Sequence, residues 1–204
     1  TLDEALNRET AVEKVVVYPR TGASVLMRAG RDVTWAEFTE GQSTTAETER
    51  LPAEAHALIL YTSGTTGRPK GTTHTHGGSI ATIAKEVGYC MDYREGDVFF
   101  WVTDIGWMMG PWEFIGVQFY GGTYFIFDGA PNWPEPDRLW RMIAAHGITS
   151  FGVSPTAIRL FASAGEGWVK KHDLASLRIL GSTGEPWDPE SYMWFFEKVG
   201  GGRC

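Results

Sequence analysis

The segment YTSGTTGRPKG at residues 61–71 is the part of the sequence best equipped for chemistry. It contains four serine and threonine hydroxyls, three glycines and two cations, Arg68 and Lys70. Glycines let backbone N–H groups turn toward an anion, hydroxyls donate hydrogen bonds, and a lysine adds a point charge. A flexible turn is the alternative, but this density of anion-binding groups favours a phosphate-binding loop. It is not a Walker A loop, because Lys70 follows Pro69 and precedes Gly71.

A second loop, DIGWMMGPW at residues 104–112, suits an apolar ligand. No Lys or Arg occurs between residues 94 and 138, so this loop offers no positive charge to an anion. Core packing is the alternative for its large side chains, and we favour core packing for Trp112. Met108 and Met109 are flexible and adapt to irregular apolar shapes, so the size of a bound group stays open.

The third loop is GSTGEPWDPE at residues 181–190. A helix start explains two of its residues, with Asp188 as N-cap and Pro189 at the first helical position. A helix start does not explain the three residues before them, Gly184, Glu185 and Pro186. A glycine followed by a fixed turn permits a flat base to approach the backbone closely.

Strands and helices alternate from about residue 55, and this alternation places the three loops after predicted strands. The pattern predicts a buried strand over residues 55–61 and further strands over residues 98–102, 123–127, 148–153 and 177–180. It predicts a loop over residues 63–78, and helices over residues 79–87, 111–120, 136–146 and 155–164 and from residue 189. The expected fold class is α/β, with a mixed, mostly parallel sheet flanked by helices on both faces. Ligands of such sheets bind at the carboxyl ends of the strands.

The composition excludes several classes of protein. The chain has 204 residues, of which 43% are hydrophobic and 21% charged, as in ordinary globular domains. Its net charge of −7 argues against a general nucleic-acid groove. The uncharged run between Glu113 and Asp128 is too short for a membrane-spanning helix. Two cysteines make no disulfide framework and no signal peptide opens the chain, so we expect a cytoplasmic location.

The three loops together resemble the adenylate-forming (AMP-binding) superfamily of acyl-CoA synthetases, luciferases and peptide-synthetase adenylation domains. Residues 61–71 match that family's signature phosphate loop nearly residue for residue. Residues 104–107, DIGW, resemble the D-x-G-W stretch of the acetyl-CoA synthetase-like enzymes, and residues 181–186 resemble their adenine-binding turn. The resemblance implies the acetyl-CoA synthetase-like fold. The sequence pattern predicts a lead-in segment with a short strand and helix at residues 1–54, and one compact α/β nucleotide-binding subdomain at residues 55–204.

The resemblance implies an ATP-dependent acyl-CoA synthetase, an acid–thiol ligase, as the parent protein. Such an enzyme activates a short-chain carboxylic acid as an acyl-adenylate and transfers it to CoA, releasing AMP and pyrophosphate. The expected partners are a small carboxylic acid, ATP with Mg²⁺, and CoA as co-substrate; neither nucleic acid nor membrane is expected. Open alternatives are an adenylating enzyme with a different acceptor, such as a carrier-protein thiol, a nucleotide-binding fragment with no activity by itself, and an inert structural fragment.

The resemblance also assigns roles to individual residues. Lys70 is the catalytic cation, and the ATP phosphates are bound by Thr62, Ser63, Gly64, Thr65, Thr66, Gly67 and Lys70. Adenine is bound by Gly184, Glu185 and Pro186. The acyl pocket is formed by Trp107, Met108, Met109 and Thr183, and Ser154 lies near the CoA tunnel. No residue of the chain is expected to bind the metal.

The same resemblance implies that both ends of the chain are cuts through a longer protein. In the family, the residues that hold the metal and the ribose, and the lysine of a mobile lid, follow the third loop and are expected beyond Cys204. The chain is therefore expected to be a middle portion of the large N-terminal domain and inactive alone. We expect apolar surface near Trp107 and Trp187 to be exposed and to favour self-association.

Overall fold

The computed structural model describes residues 2–7, 10–62 and 67–204. Contacts between residues divide the chain into two units, Thr1–Arg50 and Leu51–Cys204. Within the described ranges, every helix is too short or too polar to cross a lipid bilayer.

The smaller unit consists of two short strands and two short helices. Strand β1 (Val15–Val17) pairs in parallel with β2 (Asp32–Thr34), and helices α1 (Leu2–Leu6) and α2 (Trp35–Thr39) complete the unit. Thr34 begins α2 with a capping box: its hydroxyl accepts from Glu37 N at 3.2 Å, and the Glu37 carboxylate accepts from Thr34 N at 2.8 Å. The sequence pattern predicted one strand here and missed β2.

The larger unit is built on a four-stranded parallel sheet with the strand order β6-β5-β7-β8. The strands are β5 (Val98–Trp101), β6 (Thr123–Tyr124), β7 (Ser150–Gly152) and β8 (Ile179–Gly181). Phe100 of β5 lies opposite Phe151 of β7, which in turn lies opposite Leu180 of β8. The pairing is parallel because a helical crossover connects each of these strands to the next one along the chain.

Helices cover both faces of this sheet, as the sequence predicted. Successive residues of β5 point to opposite faces, so Phe99 and Trp101 pack in one hydrophobic core and Phe100 packs in the other. The first core is covered by α3 (His76–Lys85), with its π-helical continuation Glu86–Cys90, and by α4 (Met109–Phe119). The second core is covered by α5 (Arg138–His146), α6 (Pro155–Ala164), α7 (Pro189–Trp194) and the π turn Phe195–Val199.

Helix ends follow the predicted start and stop signals. Gly147 ends α5 in the left-handed conformation, with a φ of 59°. The Ser154 hydroxyl caps α6 by accepting from Ala157 N at 3.3 Å, and α6 has the bounds that were predicted. Asp188 caps α7 by accepting from Ser191 N at 2.8 Å, with Pro189 at the first helical position. Two hydrogen bonds from Ser191 lower the pKa of Asp188 to about 2.

The segment around the first loop differs from the prediction. Residues 63–78 were predicted as loop, but β3 (His56–Tyr61) and β4 (Gly71–Thr75) form an antiparallel hairpin and α3 begins at His76. The β-branched threonines of β4 favour a strand, and the many glycines of the segment hide that preference. The strand predicted over residues 55–61 is present as β3, but the prediction that it is buried was wrong. Among the described strands β3 pairs only with β4, and Ile59 is 56% and Tyr61 73% exposed.

Candidate active site

The predicted phosphate loop is the turn of the β3–β4 hairpin. Tyr61 pairs with Gly71, and Thr62 N donates to the Lys70 carbonyl oxygen at 2.9 Å, so the two ends of the loop meet at its base. The side chains of Thr62 and Lys70 are exposed, and Gly67 has a φ of +132° that favours glycine. The predicted phosphate-binding residues between these ends, Ser63, Gly64, Thr65 and Thr66, lie outside the described residues.

A cleft of about 430 Å³ lies between this hairpin and the loop that follows β5. We call it the hairpin cleft. Its hairpin side is lined by Leu60, Tyr61, Thr62, Thr72 and His74, and its other side by Gly106, Trp107 and Met108. Trp107 is 66% exposed, as expected for a side chain that is free to contact a ligand. The cleft therefore combines one residue predicted to bind phosphate with two residues predicted to bind the acyl group.

The turn that carries Trp107 is fixed by short-range hydrogen bonds and by one close contact. The Asp104 carboxylate accepts from Gly106 N at 2.7 Å, and Trp107 N donates to the Asp104 carbonyl at 3.0 Å. Gly110, in the first turn of α4, lies against the same backbone. A Cβ at Gly110 would lie 2.6 Å from Ile105 Cα, so only glycine fits here without a shift of the loop.

A buried glutamate that sequence reasoning missed holds the end of β5. Glu113 is only 3% exposed, and its carboxyl oxygen accepts from Trp101 N, in the last residue of β5, at 2.8 Å. Burial raises the pKa of Glu113 to about 8, although the hydrogen bond from Trp101 acts in the opposite direction. The signal in the sequence was a single acid between Asp104 and Asp128, in a stretch otherwise free of charge.

A second cleft, of about 410 Å³, lies between α3 and the start of α4. We call it the α3–α4 cleft. It shares Met108 and His74 with the hairpin cleft. On its floor, the Trp112 indole nitrogen donates to a Glu86 carboxylate oxygen at 2.7 Å. Trp112 is 7% exposed and belongs to the core cluster that contains Phe99, which confirms the predicted core packing.

The turn predicted to bind adenine is anchored to the start of α6. The Glu185 carboxylate accepts from Thr156 N at 2.7 Å and from the Arg159 guanidinium at 2.7 Å. These partners, Thr156 first, lower the pKa of Glu185. The preceding Ser182 hydroxyl donates to the Val153 carbonyl at 2.7 Å, which ties the end of β8 to the end of β7. Gly184 has a φ of +109°, a conformation that favours glycine.

The remaining predicted site residues lie in different surroundings. Met109 is half-buried and packs against the core cluster of Phe99, Trp101 and Trp112. Thr183 is exposed, as are Gly184 and Pro186, and the Ser154 hydroxyl accepts the capping hydrogen bond of α6. Trp187, expected to be exposed, is half-buried and stacks on Phe195.

Acidic and metal-binding side chains are dispersed in the part of the chain that the structure describes. Across residues 2–7, 10–62 and 67–204, no three His, Cys, Asp or Glu side chains come together in a way that could hold a metal ion. The described residues that line the hairpin cleft present hydroxyls, one imidazole and apolar side chains, and these suit a hydrogen-bonding group together with an apolar group.

The candidate ligand loops of the parallel sheet lie at the carboxyl ends of β5, β7 and β8. This arrangement is typical of ligand-binding α/β proteins. Within this class, a family model described as AMP-binding enzyme matches residues 1–204. The chain therefore belongs to the AMP-binding enzyme family, and the predicted family relationship is confirmed.

Two members of this family that are similar to the chain are acetyl-coenzyme A synthetases. The chain is 42% identical over 204 residues to the acetyl-coenzyme A synthetase of Methanothrix thermoacetophila, covering all of this chain and 31% of that protein. It is 44% identical over 207 residues to the acetyl-coenzyme A synthetase of Chromobacterium violaceum, covering all of this chain and 32% of that protein. The chain thus spans about a third of the length of these curated relatives.

A solved structure supports the fold. The acetoacetyl-CoA synthetase of Streptomyces lividans matches with a TM-score of 0.76 and 30% sequence identity, covering 93% of this chain and 28% of that chain. The match confirms the predicted α/β fold with a parallel sheet and flanking helices.

Proposed function

We propose that this chain is the part of an ATP-dependent acyl-CoA synthetase that binds the ATP phosphates and the acyl group of a short-chain carboxylic acid. The observation that carries this proposal is the hairpin cleft, where Thr62 faces Trp107 and Met108. The names of the relatives, acetyl-coenzyme A synthetase and acetoacetyl-CoA synthetase, support the same reaction.

The reaction has two steps. The carboxylate attacks the α-phosphate of ATP, forms an acyl-adenylate and displaces pyrophosphate. The CoA thiol then attacks the acyl carbon, a thioester forms and AMP leaves. Negative charge accumulates on the departing pyrophosphate in the first step, and preorganised donors stabilise such charge. We assign this role to the backbone and hydroxyl groups of residues 62–67 and to the ammonium group of Lys70. Mg²⁺ that arrives with ATP supplies further charge neutralisation.

The loops after β7 and β8 serve the nucleotide and CoA in this proposal. The Glu185 carboxylate is engaged by Thr156 and Arg159, so its role is to hold the turn of Gly184 and Pro186 in a shape that a flat base can approach. Ser154 accepts a hydrogen bond from Ala157 N, and its own hydroxyl proton stays available for a donor bond to CoA.

Three further expectations belong to the proposal. We propose that residues 55–204 are the nucleotide-binding subdomain. We also propose a cytoplasmic location, which the free thiols of Cys90 and Cys204 support. We also propose that the exposed Ile105 and Trp107, 72% and 66% accessible, favour self-association when no other part of the protein covers them.

The experiment that tests this function uses the full-length protein that contains this chain. The protein is incubated with ATP, Mg²⁺, CoA and a panel of straight-chain acids from acetate to hexanoate, and acyl-CoA, AMP and pyrophosphate are quantified. The proposal predicts that all three products form in equal amounts and only when acid is present. If AMP and pyrophosphate form without acyl-CoA, CoA is not the acceptor; if no acid supports their formation, the proposed function is wrong.

A further inference from the structure

Glu113 connects helix α4 to the end of strand β5, across the loop that carries Trp107 and Met108. Its carboxyl oxygen accepts from the backbone N–H of Trp101 at 2.8 Å, and only 3% of the residue is exposed. Among the described strand pairings, β6 pairs with only the first two residues of β5, so a side chain accepts this hydrogen bond in place of a strand. Trp101 is itself buried, and a buried amide without an acceptor is costly. Glu113 therefore fixes the distance between α4 and the end of β5.

The first turn of α4 is bonded directly to the two side-chain positions of interest in the loop. Gly110 N donates to the Trp107 carbonyl oxygen at 3.0 Å. Trp112 N donates to the Met108 carbonyl oxygen, also at 3.0 Å. Glu113 is the residue that follows this turn, so the position that it gives to α4 is passed on to the backbone of Trp107 and Met108.

A displacement of α4 would not be absorbed within the loop. The helix backbone at Gly110 lies against the loop so closely that a Cβ there would be 2.6 Å from Ile105 Cα. Trp107 is 66% exposed, so its side chain has little packing of its own to hold it in place. The position of the Trp107 indole therefore follows the backbone, and the backbone follows α4.

We infer that Glu113 is a positioning residue: by fastening α4 to β5 it sets where Trp107 and Met108 lie in the hairpin cleft, and so how tightly the acyl group of the acid binds. This inference rests on the proposed function, which places the acyl group against these two side chains. Glu113 is not among the described residues that line the cleft, so it acts through them and does not contact the acid. The opposite wall, which includes Thr62, belongs to the β3–β4 hairpin, so the binding of ATP is independent of Glu113.

The test measures acid-dependent ATP–pyrophosphate exchange by the full-length protein, with the acid and ATP varied in turn. Glu113→Leu fills a similar space without an acceptor for Trp101 N. It is expected to raise KM for the acid about 10-fold and to change kcat and KM for ATP by less than about 2-fold. Glu113→Gln keeps a carbonyl acceptor, and it resembles the native side chain, which is neutral at pH 7 because its pKa is about 8. Glutamine is therefore expected to keep KM for the acid within about 2-fold of the wild-type value.

Two further variants separate position from stability. Glu113→Asp keeps the carboxyl group but shortens the side chain by one methylene, so α4 must move or the hydrogen bond to Trp101 N must lengthen. It is expected to raise KM for the acid about 3-fold. Val117, one helical turn further along α4, is completely buried in the core cluster that contains Trp101, and Val117→Ala weakens this core while it leaves the Glu113 hydrogen bond in place. A smaller folded fraction lowers the apparent kcat but not KM, so this control keeps the wild-type KM for the acid.

The outcomes separate the inference from the proposed function. A raised KM for the acid in Glu113→Leu and Glu113→Asp, with the wild-type KM in Glu113→Gln and Val117→Ala, upholds the inference. An unchanged KM for the acid overturns it, and so does a KM that rises equally for ATP, in the glutamine variant or in Val117→Ala; exchange by the wild-type protein would still uphold the proposed function. Exchange that no acid supports overturns both. If the leucine variant fails to fold, the aspartate and glutamine variants decide the question.

Discussion

The parallel sheet and the β3–β4 hairpin are both strand structures of the larger unit, but they are stabilised very differently. The sheet side chains Phe99, Phe100 and Phe151 are completely buried between two layers of helices. In the hairpin, Ile59 and Tyr61 are more than half exposed. The geometry of the sheet is thus set by packing, whereas the hairpin is exposed, and so are Thr62 and Lys70 beside its turn. This arrangement is common in proteins, because a rigid scaffold holds ligand-binding loops in position at the surface.

The strongest test of this contrast is a pair of truncations, one in each region. Phe151→Ala leaves a cavity in the sheet core and is expected to lower the free energy of unfolding by about 3–5 kcal/mol. Ile59→Ala on the exposed hairpin is expected to cost less than about 1 kcal/mol. Urea denaturation of the two variants measures both values. Equal losses would show that the hairpin is as tightly packed as the sheet.

A smaller loss of stability is expected from a substitution at Gly110, which lies against the loop that follows β5. Gly110→Ala places a Cβ 2.6 Å from Ile105 Cα and must shift the loop that carries Trp107, at a cost of about 1–3 kcal/mol. Gly167→Ala is the control, because a Cβ at Gly167 meets no atom within 4 Å. The measurements are the urea midpoint and the fluorescence of Trp107, compared with a Trp107→Phe background. A shift of the urea midpoint without any change in Trp107 emission would show that Gly110 does not position the loop that carries Trp107.

Glu113 makes the stability of the sheet region depend on pH. Its pKa is about 8 in the folded protein, above the ordinary 4.5, so the folded state keeps a proton that the unfolded state has lost. Stability therefore falls as pH rises from 4.5 to 8, with a slope of up to about 1.4 kcal/mol per pH unit. Glu113→Gln, which is neutral at every pH, is expected to flatten this slope. The free energy of unfolding is measured by urea denaturation at several pH values from 5 to 8. A slope in the variant equal to the wild-type slope would show that Glu113 does not cause this pH dependence.

Local signals in the sequence predicted much of the scaffold. Helix α6 has the predicted bounds because Ser154 and Pro155 mark its start unambiguously. Strand β6 was predicted over residues 123–127, but only Thr123 and Tyr124 pair, since β6 is an edge strand with one neighbour. Strand β4 was missed because its glycine and threonines, in a glycine-rich segment, resemble a loop.

The site was harder to predict because its parts are distant in the chain. Thr62 and Trp107 line one cleft, and no spacing rule connects residues so far apart; the family resemblance supplied each motif separately. Glu113 was missed for a similar reason, because its burial depends on a hydrogen bond to the backbone of another element at Trp101. The α3–α4 cleft depends on the packing of Glu86 against Trp112, which is a tertiary contact.

The central claim is that the turn of the hairpin holds the phosphates of ATP during adenylation, with Lys70 neutralising the leaving pyrophosphate. Lys70→Ala in the full-length protein tests it most directly, with Lys85→Ala, an exposed lysine at the end of α3, as control. The two half-reactions are measured separately, as acid-dependent ATP–pyrophosphate exchange and as transfer of the acyl group from preformed acyl-adenylate to CoA. Loss of a charge-assisted contact of about 2–3 kcal/mol slows exchange by roughly 30- to 150-fold. Thiol transfer changes much less, because pyrophosphate has already left. Equal losses in both half-reactions, or no loss of exchange, would contradict the account.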